Sequence, residues 1–233
     1  MARKLEPREV GAPIFWTGGN PGTVRLSEKT IELNFCTEFE RLSRRRVIWF
    51  GLTQRQERQM GFDLCTKFGG VLFIFQVKAS NKIIGGLRRF DAPHRQMLNL
   101  QQLSRGVRRC VYYVLPDIGT THEFARSRGL LQDTWLLDVF QLPTPMPAPT
   151  IRGGTHVRRS GKHRIDLRPP HVTVWSEPFS AEVINAADFA TNPPQDAGFT
   201  DPVTLFEDEQ EIGRFGYLRL GVGAILLPKE AAR

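Results

Sequence analysis

Two short stretches concentrate side chains of the kind that do chemistry: Glu57-Arg-Gln-Met-Gly-Phe-Asp63 and Gln76-Val-Lys78-Ala-Ser80. On a strand, alternate side chains share a face, so Gln76, Lys78 and Ser80 project together while Val77 projects away. Asp63 lies thirteen residues before Gln76 across a Gly-Gly turn, a spacing that can set the two side by side on neighbouring hairpin arms. Glu57 sits one to two helical turns before Asp63. A carboxylate, an amide oxygen and a lysine would then converge at the polar end of an apolar strand. Oxygen ligands of this kind suit Mg²⁺ or Mn²⁺, and a lysine beside such an ion can orient or activate water. Each residue also has a plainer role open to it. Asp63 can accept backbone bonds in the turn after Gly61. Lys78 can guard an edge strand, and Gln76 can be a satisfied strand-end amide. Glu57 can pair with Arg55 or Arg58 on an exposed helix.

The flanking sequence predicts the elements that would hold these groups. Thr30 to Phe35 alternates apolar and polar residues, which predicts a half-buried strand in an N-terminal, strand-rich segment, residues 1–46, packed on the core. Val47-Ile-Trp-Phe50 is a short apolar run ending at Gly51. Thr53-Gln-Arg-Gln56 has capping-box form and starts a two-turn helix that Gly61 would close. Phe62 to Cys65, the turn Lys67-Phe-Gly-Gly70 and Val71-Leu-Phe-Ile-Phe75 predict a hairpin whose second arm is covered on both faces. Asp91 and Pro93 start a helix that Gly106 ends, Cys110 to Leu115 is a buried strand, Thr121 caps a short helix through Arg128, and Thr134 to Phe140 is a further strand. The fold class expected is α/β, with a central mixed sheet flanked by helices over residues 47–142. Alternate prolines from Pro143 to Pro149 then open a connector and C-terminal extension, 143–233, in which Tyr217 to Leu227 is a strand expected to pack back on the core.

This arrangement resembles the PD-(D/E)xK nuclease superfamily, with its restriction-endonuclease-like fold. It is most similar to the Mrr-like branch, in which Gln replaces the acid before x-Lys. The resemblance implies a metal-dependent phosphodiesterase with Asp63, Gln76 and Lys78 as the motif residues and Glu57 as the helix acid. It implies a Mg²⁺ or Mn²⁺ ion held by Asp63, Gln76 and the Val77 carbonyl, and DNA as substrate in restriction, phage defence or repair. The usual proline before the Asp is Phe62 here, and Gln76 is neutral, so charge compensation falls to Asp63 and Glu57. Two-strand cutting would call for a homodimer or a larger complex.

The charge balance agrees with a polyanionic partner. The 233 residues carry 32 Lys+Arg against 24 Asp+Glu, a formal net charge of +8. The excess clusters in two runs, one holding Arg44, Arg45, Arg46 and Arg55, the other Arg158, Arg159, Lys162, Arg164 and Arg168. Arginine meets phosphate through two parallel bonds, so both runs are candidate nucleic-acid contacts. His94 is placed to reach a scissile phosphate from the next helix, and Glu38 and Glu40 are alternative upstream acids. No apolar stretch approaches the roughly 20 residues that span a bilayer, no apolar run follows the N-terminal charges, and three scattered cysteines offer no disulfide framework. These features predict a cytoplasmic protein without a membrane anchor. No phosphate-binding or dinucleotide glycine motif occurs. Besides a nuclease, the composition fits a nucleic-acid-binding or assembly subunit that keeps the fold without the chemistry, or a module whose basic face meets an acidic protein.

Overall fold

The computed structural model describes residues 24–194 except 46, 53–56, 58–60, 69–70, 106–108, 144–160 and 176–178, and in addition the backbone of strands 215–220 and 223–228. The first element corrects the sequence expectation. Residues Glu28–Ser43 form helix α1, in place of the strand expected at Thr30 to Phe35. Ser27 caps it by accepting from the Thr30 amide, Glu28 occupies the first turn, and Arg44 ends it in the left-handed conformation. Ile31, Phe35 and Phe39 are buried at spacings of four, whereas Leu33, which produced the apparent alternation, is 63% exposed. The helical period becomes visible only when the window extends past Phe35 to Phe39.

Six strands build the main sheet in the order β1-β2-β3-β6-β7-β11. They are β1 (Ile48–Gly51), β2 (Leu64–Phe68), β3 (Val71–Val77), β6 (Val111–Pro116), β7 (Thr134–Asp138) and β11 (Ile184–Asn185). Neighbours are antiparallel except β3 and β6, which pair in parallel. The hairpin expected around Lys67 to Gly70 is β2–β3, in register Leu64↔Phe75. As anticipated, β3 is covered on both faces, with every residue from Leu72 to Val77 buried. On one face Phe73 and Phe75 meet Phe35 and Phe39 of α1 and Phe189 of α4 (Ala186–Thr191). Ring centroids 5.0–6.4 Å apart in tilted or edge-on pairs make this the aromatic heart of the core.

Strand β5 (Leu87–Pro93) was not foreseen, and helix α2 (His94–Ser104) begins directly after it instead of at Asp91. Helix α3 (Thr121–Arg126) is capped by Thr120, in a capping box with Glu123, and not by Thr121. β5 belongs to a second sheet, ordered β10-β9-β8-β5-β4, with β4 (Ile83–Ile84), β8 (Lys162–Arg168), β9 (His171–Val174) and β10 (Phe179–Glu182). Residues beyond the proline-rich connector therefore complete the fold: β8 lies along β5, β11 extends the main sheet, and α4 packs on α1. The C-terminal strands β12 (Phe215–Leu220) and β13 (Gly223–Pro228) pair with each other as a hairpin and add no strand to either sheet. Among the described residues, no helix is long and apolar enough to cross a membrane.

Candidate active site

The polar ends of β2 and β3 meet as their spacing predicted. Asp63 precedes β2 and takes its place in the ladder, its amide donating to the Phe75 carbonyl at 3.1 Å. Its carboxylate Oδ2 accepts from Gln76 Nε2 at 2.6 Å and from the Val77 amide at 2.7 Å. Gly61 holds the approach to Asp63 at φ +82°, and its amide donates to the Glu57 carbonyl at 2.8 Å. A side chain at Gly61 would lie 3.1 Å from Asn99 Cβ, so this left-handed turn is tucked against α2. Glu57 is helical and half-buried, in keeping with the expected helix, whose capping residue Thr53 lies outside the described residues.

Lys78 leaves β3 with its amide bonded to the Val114 carbonyl at 3.0 Å and its side chain 7% exposed. The ammonium group faces Glu28 Oε1 at 3.9 Å. The helix that replaces the expected N-terminal strand thus supplies acids to this end of the sheet: Glu28 at its first turn, and Glu32 one turn on, paired with Lys29 at 2.5 Å. Neither was singled out in the sequence. The usable signal was Ser27 as a cap followed by acids at spacing four, which the strand reading hid.

Burial sets the electrostatics. It pushes the Asp63 carboxyl up to about 7, and the nearby charges of Glu32 and Glu28 add to the rise, against the Val77 amide and the Lys78 charge. Burial likewise lowers the Lys78 ammonium below its ordinary value, opposed by Glu28, Asp63 and Asp91. Glu57 is raised by partial burial and by Glu32. The neighbourhood holds the carboxylates Glu28, Glu32, Glu57 and Asp63 against the amines Lys29 and Lys78, an acid excess that a divalent cation would relieve.

Two buried oxygens at this strand end lack hydrogen-bond partners among the described residues. Gln76 Oε1 has no hydrogen-bond partner, and neither has Tyr113 Oη on the adjoining strand, where Tyr113 stands opposite Gln76. An orphaned amide oxygen beside a carboxylate is costly in a protein interior and fits a hard cation or a water bound to one. Among the described residues, no group of three or more His, Cys, Asp or Glu forms a metal cluster. The oxygens at this strand end that could serve an ion are those of Asp63, the Gln76 amide and the Val77 carbonyl, the last of which already accepts from Gln76 Nε2 at 3.1 Å.

The other sequence candidates scatter. Arg44 and Arg45 are exposed at the far end of α1, about 22 Å of helix from Glu28, so they do not border this cluster. Arg46, Arg55, Arg158 and Arg159 lie outside the described residues. Glu38 has a structural role, accepting from the amides of Leu130 and Leu131 at 2.9 and 3.1 Å. His94 opens α2 with its ring bonded to that of buried His163, Nδ1 to Nε2 at 2.9 Å. Lys162 is exposed at the start of β8, and its charge is felt at Lys78. No protein-family model, curated protein or solved structure matches this chain.

Proposed function

We propose that the chain is a Mg²⁺- or Mn²⁺-dependent endonuclease that hydrolyses DNA phosphodiester bonds. The observation that carries this reading is the juxtaposition of a buried carboxylate, an unsatisfied amide oxygen and a buried lysine at one strand end: Asp63, Gln76 and Lys78. Apart from β4 and β5, which intervene between the hairpin and α2, the element order follows the resemblance: a helix, a strand, a hairpin bearing the motif, a helix and a strand. α1 supports the reading further, since Glu28 or Glu32 can take the part of upstream acid first assigned to Glu57.

Asp63, Gln76 and the Val77 carbonyl would hold the ion, which when bound would supply a Lewis acid to the phosphate and lower the pKa of a bound water. Asp63 is positioned by the Val77 amide and by Gln76 Nε2, leaving Gln76 Oε1 for the ion or its water. Lys78, desolvated and with a lowered pKa, can hold the attacking water and offset charge growing on the phosphate. Glu28 keeps that ammonium oriented.

Purified protein incubated with supercoiled plasmid and Mg²⁺ or Mn²⁺ is expected to nick it. Lys78→Ala should lower the rate by about 100-fold or more, with the melting temperature little changed. Equal cleavage by Lys78→Ala and the parent would refute the assignment. Salt-sensitive DNA binding with no cleavage in any divalent metal would instead favour the binding or assembly subunit.

A further inference from the structure

The outer face of the second sheet is unpartnered among the described residues and unusual in its composition. Along β8 the inward residues His163, Ile165 and Leu167 are buried, and Lys162, Arg164 and Arg168 alternate outward, exposed. None of these three forms an ion pair among the described residues. The other charges here largely neutralise one another: Arg89 grips Asp166 through two bonds of 2.6 Å, and Lys82 meets Asp91 at 3.0 Å. Glu182, on the far edge strand, stands opposite His171.

Beside this basic row stands Trp175, 60% exposed. It continues the β9 pairing, its amide donating to the Arg164 carbonyl at 3.0 Å. The ring is not loose. Its Nε1 donates to Asp166 Oδ2 at 2.5 Å, and the Arg89 guanidinium carbon lies 5.9 Å from the ring centroid. The same nearly buried carboxylate therefore fixes both the indole and the arginine that lies over it. An exposed tryptophan held this firmly next to unpaired cations matches one polyanion that also carries flat apolar rings.

We propose that this face binds a single-stranded segment of nucleic acid, with an unpaired base stacked on Trp175 and phosphates along Lys162, Arg164 and Arg168. From Lys162 to Arg168 the strand is about 20 Å long, enough for several nucleotides. Lys162 is the end near the catalytic cluster: it pairs in register with Pro93, and its charge reaches Lys78. That the strand runs from Trp175 toward Lys78 rests on the phosphodiesterase reading; that it binds does not.

The test is oligothymidylate binding to the full chain in EDTA, so that cleavage plays no part, followed by anisotropy and by quenching of tryptophan emission. Trp175→Ala should weaken binding roughly 5- to 150-fold, the usual range for one stacked base. Trp175→Phe, which keeps a ring, should retain most of the affinity. Arg164→Gln and Arg168→Gln should each reduce the salt slope by about 0.7, and duplex of equal length should bind more weakly. Parent-like binding by a folded Trp175→Ala, equal competition by polyglutamate, or a face covered by a second copy in sedimentation would each overturn the proposal. Failures separate cleanly: loss of cleavage in Lys78→Ala with normal Trp175→Ala binding removes the track alone, and the reverse pattern removes the nuclease alone.

Discussion

Asp63 pays for its position in the metal-free protein, and the cost depends on pH. Its carboxyl in the folded chain titrates near 7, against an ordinary value near 4, because burial disfavours the charge. Between those values the folded state binds more protons than the unfolded one, so the contribution of Asp63 to stability is fullest below about pH 4 and falls as pH rises through about 7. Asp63→Asn removes that penalty, and Gln76 can rotate its amide to donate or accept as needed. In EDTA at pH 8 the variant should therefore exceed the parent by roughly 1–3 kcal/mol, or several degrees in Tm, with the gap closing toward pH 5. Melting curves at the two pH values check this; a gap of the same size at both would refute it. Adding Mg²⁺ or Mn²⁺ at pH 8 should raise the Tm of the parent by mass action and leave Asp63→Asn unmoved. Much of this cluster was legible in the sequence, since β3 is a long apolar run whose alternation puts Gln76 and Lys78 at its polar end. Glu28 and Glu32 were not, because their side chains arrive from a helix forty to fifty residues away whose pattern imitates a strand over six residues.

At the level of elements, the loop that leaves Lys78 is clamped from three sides. Arg88 on β5 is nearly buried and donates to the Ser80 carbonyl at 2.8 Å, to Asp117 at 3.2 Å and to Glu123 of α3 at 2.9 Å. Glu123 also accepts from the amides of Gly119 and Thr120, so one carboxylate ties the helix cap to the clamp. Ser80 completes it by donating to the Arg89 carbonyl. Gly119 fills the remaining gap. A Cβ there would lie 2.1 Å from the Ser80 carbonyl oxygen and 2.9 Å from the Asn81 Cα, and backbone atoms cannot swing aside as a side-chain end can. Gly119→Ala should cost about 1–3 kcal/mol from overpacking and shift the loop after Lys78, lowering cleavage beyond its effect on stability. Gly51→Ala is the control, since a Cβ there meets nothing within 4 Å. Urea midpoints and cleavage rates for the pair decide the matter; equal midpoints would mean that the loop yields. None of this clamp could be read from the chain, because Arg88 and Glu123 are 35 residues apart and each looks like an ordinary surface charge until the fold buries Arg88 against Glu123.

For the whole molecule, the question is where the folding unit ends. The alternating prolines after Leu142 suggest a boundary, and composition changes there. The hydrogen-bond ladders do not respect it. β5 has β8 along all but its first residue, in register from Arg88↔Leu167 to Pro93↔Lys162, and its other neighbour, β4, is two residues long. Removing β8 would bare Phe90 and Ala92, both at most 1% exposed, and strip Asp166 from Arg89. Removing α4 would open the aromatic core at Phe189, which touches Phe39, Phe73, Phe75 and Tyr112. A lost core aromatic alone costs about 3–5 kcal/mol, comparable to the whole stability of many domains. A chain cut after Leu142 should therefore be insoluble or lack a cooperative melt, whereas one cut after Pro194 should keep both sheets and melt cooperatively. The contrast has a physical source: a β-strand is half of a structure, and a sequence records each half separately. Lys162 to Arg168 reads as a basic run because its exposed residues are charged. Its buried apolar residues, Ile165 and Leu167, are too few to declare a strand until β5 lies beside them. A cooperative melt from the 1–142 fragment would show that the first sheet stands alone, and β8 to β11 would then be a separable domain after all.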